Sequence, residues 1–370
     1  MNPQYKKIYC CTPVAFHAND GFWIRDTGLI STTLRKMGIE SKCIMPLPFY
    51  DDDQKDGLIR TEYKNLKSAA WWKSLGLDAL ILYSWGAPRY LPIARAIHKA
   101  GIKLHIHLDT SGDFEGTHYD ELPFINKITH KLRVLAQDLL RSYHLRYADT
   151  ISAGEPVLQY ISSRIFYGKW IVTRGIPMAS PVSPEFSYKG NPKKPIILFI
   201  GRWNDSRQKR PEFMMKSIEH LISSGVQVEI RIIGTITDEI RQWHSKLPNT
   251  TAIKLIGHIP NNKLILEYNN AQIIACCSKF EGSHVVSSEA LCCGTSVVAT
   301  NLPKSLRTVH WYTSKNSGRI SDLDSPQSFA KALYDELLAW KKNERNPQAI
   351  AESWHPFFHT DKILNRIFKN

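Results

Sequence analysis

Short apolar runs alternate with helix-period segments from residue 196 to residue 340, and this alternation constrains the fold more than any other feature. "IILFIGRW", "VQVEIRIIG", "AIKLIGHI", "QIIACCS" and "TSVVAT" read as strands. "RPEFMMKSIEHLISSG", "TDEIRQWHSKL" and "NNKLILEYNNA" between them carry the three-to-four spacing of helices. Apolar runs without a polar face belong in a sheet covered on both sides, and strand–helix–strand crossovers of this length make that sheet parallel. The first half repeats the pattern. "KKIYCCTPV", "IESKCIMPL", "LDALILYSW", "IKLHIHLD", "ADTISAG" and "KWIVTRGIP" are its strands, with helices such as "YLPIARAIHKAG" and "EPVLQYISSRIF".

Two such series exceed what one core usually holds, so two doubly wound α/β domains facing each other across a cleft are expected. The stretch 176–195, "IPMASPVSPEFSYKGNPKKP", is rich in Pro, Ser and Gly and reads as the linker between them. This assigns 1–175 to a first domain, 196–350 to a second, and 351–370 to a C-terminal helical segment that crosses back toward the first.

Hydrophobic residues are 43% of the 370, which excludes global disorder. No apolar run approaches the roughly 20 residues that span a bilayer, and the N-terminus lacks a signal pattern; a cytoplasmic protein is expected. The seven cysteines include the adjacent pairs Cys10-Cys11, Cys276-Cys277 and Cys292-Cys293, a spacing that suits small core residues rather than zinc ligands. The net charge of +14 is shared by both halves. It calls for a polyanionic partner or substrate: nucleic acid, an anionic membrane or a phosphorylated ligand.

Ligands of open parallel sheets bind beyond the carboxyl ends of the strands. After "IILFI", the loop "GRWNDSRQKRP" gathers Arg202, Arg207, Lys209 and Arg210 just before a helix, which suits a phosphate or diphosphate. After "AIKLI", Gly257 sits in a turn that lets backbone approach a flat ligand. After "QIIACCS" comes "KFEGSHVVSSEALCCG", in which Ser283 is the expected N-cap and Gly294 the expected C-terminal stop of a helix. Glu281 then lies in the loop and Glu289 on the helix. Both carboxylates flank the free N–H groups of the helix start. Two acceptors on either side of an anion-binding end match a nucleotide sugar.

"SKFEGSHVVSSEALCCGTSVVAT" resembles the E-x7-E signature of retaining glycosyltransferases with the two-domain GT-B fold, most like family 4. "ILFIGRWNDSRQKRPEFMM" is similar to that family's strand with its Gly-Arg and Lys loop. The resemblance implies two Rossmann-like domains and metal-independent transfer, with no bound cofactor and a UDP- or GDP-sugar as donor. It implies that Arg202 and Lys209 hold the diphosphate, with Arg207 as the alternative to Lys209. It further implies that Glu281 meets the transferred sugar and Glu289 the ribose. Gly282, Ser283, His284 and Val285 would face sugar and phosphate, and Gly21 would face the phosphates from the first domain. The family has Gly-Phe-Gly where this chain has Gly282-Ser283-His284. On the acceptor side, Asp109 or His107 occupies the place of a family histidine, in "LHIHLDTSGDF".

A glycan or lipid-linked saccharide is the expected acceptor, in surface polysaccharide or lipopolysaccharide biosynthesis. The segment "FINKITHKLRVLAQDLLRSYHLRYAD" sets Ile125, Ile128, Leu132, Leu135 and Leu139 among Lys127, Lys131, Arg133, Arg141 and Arg146. It reads either as a basic amphipathic helix lying peripherally on the inner face of an anionic membrane or as an ordinary surface helix. Trp71 and Trp72 suit such an interface. Two rival readings are a GT-B nucleotide-sugar epimerase, which uses the donor contacts without an acceptor, and a basic nucleic-acid-binding protein, for which no recognised module is present.

Overall fold

The apolar runs of the first half pair as seven parallel strands. They are β1 (Ile8–Cys11), β2 (Cys43–Pro46), β3 (Leu58–Thr61), β4 (Ala79–Tyr83), β5 (Lys103–Leu108), β6 (Thr150–Ala153) and β7 (Gly175–Pro177), in the order β3-β2-β1-β4-β5-β6-β7. The computed structural model describes residues 5–17, 23, 25–50, 56–84, 87–108, 124–163, 174–178, 180–247, 252–279, 281, 283–302, 308–314 and 316–368. The chain divides into two units, Met1–Ser183 with Phe357–Asn370, and Pro184–Pro356.

Side-chain alternation sorts the first sheet into two cores. Tyr9, Cys11, Leu80, Leu82, Leu104, Ile106 and Leu108 point to one face, where α3 (Leu91–Lys99) supplies Ile93, Ala94 and Ile97 and the end of α4 (Phe124–Leu145) supplies Leu145. The same core takes Trp72 from α2 (Ala69–Ser74) and Val157 and Ile161 from α5 (Glu155–Ser163). Ile8, Cys10, Ala79, Ile81 and Tyr83 point to the other face, against Ile30 and Leu34 of α1 (Thr27–Lys36). Ile363, Leu364 and Ile367 of the C-terminal helix Thr360–Ile367 complete that core. A parallel bridge between Val182 and His359 ties the same segment in place.

Trp71 and Trp72, expected at a surface interface, are packed inward. Trp72 is fully buried and its indole N–H donates to Leu66 O at 2.8 Å, while Trp71 lies edge-on against it. Of the stretch 176–195, Ile176 and Pro177 belong to β7 and Lys194 opens the next strand.

The second unit has six parallel strands, β8 (Lys194–Gly201), β9 (Glu229–Gly234), β10 (Ile253–Gly257), β11 (Ala271–Cys276), β12 (Ser296–Ala299) and β13 (Gly318–Ile320). Their order is β10-β9-β8-β11-β12-β13. Strand order therefore reverses between β8 and β11, which is where doubly wound sheets place ligands. The helices are α6 (Ser206–Lys209), α7 (Pro211–Ser223), α8 (Asp238–Ser245), α9 (Asn261–Asn270), α10 (Val285–Cys292), α11 (Thr308–Tyr312) and α12 (Pro326–Lys341), followed by a helix at Pro347–Phe358. The long α12 packs on α7, where the fully buried Phe329 ring meets Phe213. Its N-cap is Ser325, whose hydroxyl accepts from Ser328 N–H, with Pro326 following at the first position.

Candidate functional site

The loops after β8 and β11 lie side by side at the reversal point. In the first, Asp205 caps α6, its carboxylate accepting from Gln208 N–H at 3.0 Å. Arg210 then takes a left-handed conformation (φ 52°), which lets Pro211 start α7 in a new direction. The loops are stitched by Lys279 N–H donating to Gln208 O at 2.8 Å.

This turn separates the four cations into different tasks. Lys209 Nζ pairs with Glu281 Oε1, and Gln208 Nε2 donates to the other carboxylate oxygen at 3.2 Å. Arg202 is open to solvent, 71% exposed, and leans on Gln208 Oε1 at 3.3 Å and Asp205 at 3.6 Å. Arg207 is exposed on α6. Arg210 is not part of this cationic face. Its guanidinium holds both oxygens of Asp324 at 2.9 and 3.0 Å, donates to Cys277 O at 2.7 Å and stacks over Phe213. It joins the start of α7 to the far end of the sheet.

The second loop departs from expectation at its cap. Helix α10 starts at Val285, and the N-cap is His284, not Ser283. Ser283 Oγ instead lies 3.3 Å from the Tyr312 hydroxyl. The His284 ring folds under the helix start, its Nδ1 2.6 Å from Ser287 Oγ and the residue only 3% exposed. Burial pushes its pKa down to about 4, with Glu281 opposing and Lys209 reinforcing, so the ring is neutral at pH 7. Val285 is half-buried at the first helical position.

Glu289, one turn further, is 2% exposed and accepts from the Tyr268 hydroxyl at 2.9 Å. The helix stops as expected: Gly294 has φ +77°, and a Cβ there would sit 2.4 Å from Pro347 O. Residue 294 is thus restricted to glycine by conformation and by space.

The reversal point therefore brings together Arg202, Arg207, Lys209, Glu281, Ser283, His284, Val285 and Glu289 from two loops and the helix that follows. Gly257 ends β10 with φ +79°, at the edge of the sheet, with β9 between it and β8. Gly21, Asp109 and Gly282 lie outside the described residues. His107 is in the first unit's core, 1% exposed, its Nδ1 2.8 Å from Ser152 Oγ and its ring against Tyr83. His105 touches the same Ser152 Oγ at 2.8 Å. Three residues that carry the geometry are not evident from motif spacing: Gln208, Tyr268 and Asp324.

Two parallel, doubly wound α/β units in one chain are the architecture of the GT-B fold. Residues 194–338 match the family model described as glycosyl transferases group 1. D-inositol 3-phosphate glycosyltransferase of Corynebacterium jeikeium (strain K411) is 25% identical over 187 residues, 44% of this chain. The matched stretch spans 43% of that protein's length. Among solved structures, the apo lipopolysaccharide outer core galactosyltransferase WaaB superposes with a TM-score of 0.67 at 14% identity, over 98% of this chain and 99% of that one. Anabaena Alr3699/HepE in complex with UDP-glucose gives a TM-score of 0.61 at 14% identity, over 98% of each chain.

Proposed function

We propose that this chain transfers a sugar from a nucleoside-diphosphate sugar to a hydroxyl of a glycan or lipid-linked saccharide, with retention of anomeric configuration. The observation that carries this reading is the Arg202–Gln208–Lys209–Glu281 cluster at the reversal point, with Glu289 on the adjoining helix. Arg202 and Lys209, or Arg207 in place of Lys209, bind the diphosphate. Glu281 meets the sugar and Glu289 the ribose.

Breaking the bond between the anomeric carbon and the phosphate oxygen builds negative charge on the leaving diphosphate. The cations and the N-terminal N–H groups of α10 stabilise that charge, so transfer proceeds without a divalent metal. The acceptor hydroxyl attacks from the face the diphosphate leaves, and a phosphate oxygen takes its proton. Glu281 is held on both oxygens by Lys209 and Gln208 and so orients the sugar rather than acting as a nucleophile. The UDP-glucose complex of Alr3699/HepE supports a UDP-sugar donor, and WaaB supports a setting in lipopolysaccharide biosynthesis.

The acceptor side falls to the first unit. There α4 leaves Ile125 (73%), Leu132 (62%), Ile128, Leu135 and Leu139 exposed in one three-to-four stripe. Lys127, Lys131, Arg133 and Arg146 flank it, and the helix's one acidic residue, Asp138, is buried on Arg141 and Tyr160. An anionic bilayer surface fits such a face. Among the described residues no helix is long and apolar enough to cross a membrane.

The test is a thermal-shift panel of UDP, GDP and their sugars, with and without EDTA. Stabilisation by one diphosphate that is insensitive to EDTA and lost in Arg202→Ala supports the reading; no response to any nucleotide overturns it. Isomerisation of the sugar nucleotide without an acceptor would favour the epimerase alternative.

A further inference from the structure

The second unit contains a buried phenol that the cationic cluster does not use. Tyr268, on α9, is fully buried, and its hydroxyl donates to Glu289 Oε2 at 2.9 Å. Both ends of this residue are fixed. Its carbonyl accepts from Lys193 Nζ at 2.7 Å and Thr295 Oγ1 at 2.6 Å, and its ring lies against Phe186. The same Lys193 Nζ donates to Cys293 O, at the end of α10, at 2.7 Å. One buried amine thus clamps the C-terminal ends of the two helices that carry Tyr268 and Glu289.

We infer that Tyr268 is the positioning residue that holds Glu289 as an ionised, oriented acceptor for the ribose hydroxyls of the donor nucleotide. This rests on the reading given under Proposed function, in which Glu289 meets the ribose. A carboxylate on a residue only 2% exposed loses water and tends to protonate or rotate unless a donor reaches it. A phenol supplies that donor without a second charge, and at neutral pH it does not lose its proton. An ionised carboxylate only accepts, so it discriminates for hydroxyls and against positions that lack them. The rigid clamp on α9 makes the phenol's direction a property of the fold rather than of the ligand.

The experiment measures binding of UDP, 2′-deoxy-UDP and 3′-deoxy-UDP to the full chain by calorimetry, or of the GDP series if GDP is the nucleotide that stabilises the protein. Wild type should prefer the ribonucleotide by about tenfold or more, the scale of one hydrogen bond to a charged group. Tyr268→Phe keeps the ring and the packing, and should reduce that preference to within about threefold while leaving deoxynucleotide affinity nearly unchanged. The variant should also lose UDP affinity more steeply than wild type between pH 7 and pH 5, because the charged form of the carboxylate then has one hydrogen bond fewer. A purely structural role would weaken all three ligands alike and leave the pH profile unmoved.

Full discrimination with a wild-type pH profile in Tyr268→Phe overturns the inference while leaving the transferase reading intact. A wild-type chain that binds no nucleotide overturns both. If Tyr268→Phe fails to fold, 3-fluorotyrosine at 268, a stronger donor of the same shape, replaces it. The ribonucleotide preference should then rise, and an unchanged preference rejects the role.

Discussion

Lys209 and Glu281 lie 72 positions apart in the chain and form an ion pair from neighbouring loops, with side chains only 13% and 6% exposed. Two charges this far from water hold each other in place, and removing one strands the other at a cost of about 3–5 kcal/mol. Lys209→Met and Glu281→Gln should therefore each lower the melting temperature by several degrees. The double variant should recover much of that loss, because no unpaired charge remains. Transfer activity should not recover: each single variant and the double should fall by at least about a hundredfold, since each single variant removes one of the proposed roles on diphosphate and sugar and the double removes both. Melting curves and initial rates on the same four proteins check this, and a double variant with near-normal rates would refute the assigned roles.

Arg202 and Arg210 are eight positions apart in one basic loop, yet the left-handed turn at Arg210 gives them opposite environments. Arg210 is tied to Asp324, Cys277 O and Phe213, whereas Arg202 is largely solvated. Arg210→Ala should cost about 2–4 kcal/mol in urea unfolding, because Asp324 keeps Thr300 but loses both guanidinium bonds and the Cys277 carbonyl loses its guanidinium donor. Arg202→Ala should change stability by less than about 0.5 kcal/mol and should instead abolish the nucleotide-induced thermal shift. Equal stability losses in the two variants would contradict this division.

The apolar stripe on α4 and its flanking cations should bind vesicles containing anionic lipid and leave neutral ones alone. Each basic residue near such a surface contributes about 1 kcal/mol, or about fivefold in partitioning. Lys131→Glu with Arg133→Glu should therefore reduce vesicle binding by well over tenfold. Leu132→Ser with Leu135→Ser should do the same through lost apolar burial. These side chains are exposed, so the melting temperature should hold. Co-sedimentation with vesicles of phosphatidylcholine, with and without phosphatidylglycerol, reads the result. Equal binding to both compositions, or a stripe buried in a dimer that ignores lipid, would overturn the assignment. A second copy is disfavoured because it would set like charges against one another.

Much of this architecture is legible in the sequence because buried parallel strands need unbroken apolar runs, as in "IILFI" and "QIIAC". The strands that escape such a reading are short and half-exposed: "LIRT" at 58–61 carries Arg60, and "GRI" at 318–320 carries Arg319. The candidate site is legible where residue type and spacing encode it, as with Glu281, Glu289 and the basic loop. It is not legible where the backbone decides. Nothing in "RQKRP" says that Lys209 faces the site while Arg210 turns away. Nothing in "GSHV" says that His284 rather than Ser283 ends up under the helix. Tyr268 contributes through a fold-level neighbour 21 positions from Glu289, on a different helix, and has no local motif at all.

Three histidines of the first unit make its stability depend on pH in a window that carboxylates do not share. Burial pushes His105 and His107 down to about 3, with the neighbouring His107 adding to the effect on His105, and pushes His144 down to about 4. His105 and His107 lie beside Ser152, and His144 Nε2 is 2.8 Å from Ser84 Oγ. In the unfolded chain each titrates near 6.5. The folded state therefore binds fewer protons below that value. The stability these neutral rings contribute is complete above about pH 6.5 and is lost as pH falls toward 4 and then 3. Each histidine adds a slope approaching 1.4 kcal/mol per pH unit once its unfolded form is protonated. The first unit should accordingly begin to destabilise between pH 6.5 and pH 5, above the range in which ordinary carboxylates titrate. Thermal melts across pH 7.5 to 4.5 should show this fall, and His107→Asn should have a shallower slope than wild type even if it is less stable at pH 7.5. A flat melting temperature from pH 6.5 to pH 5 would show that these rings are protonated in the folded state.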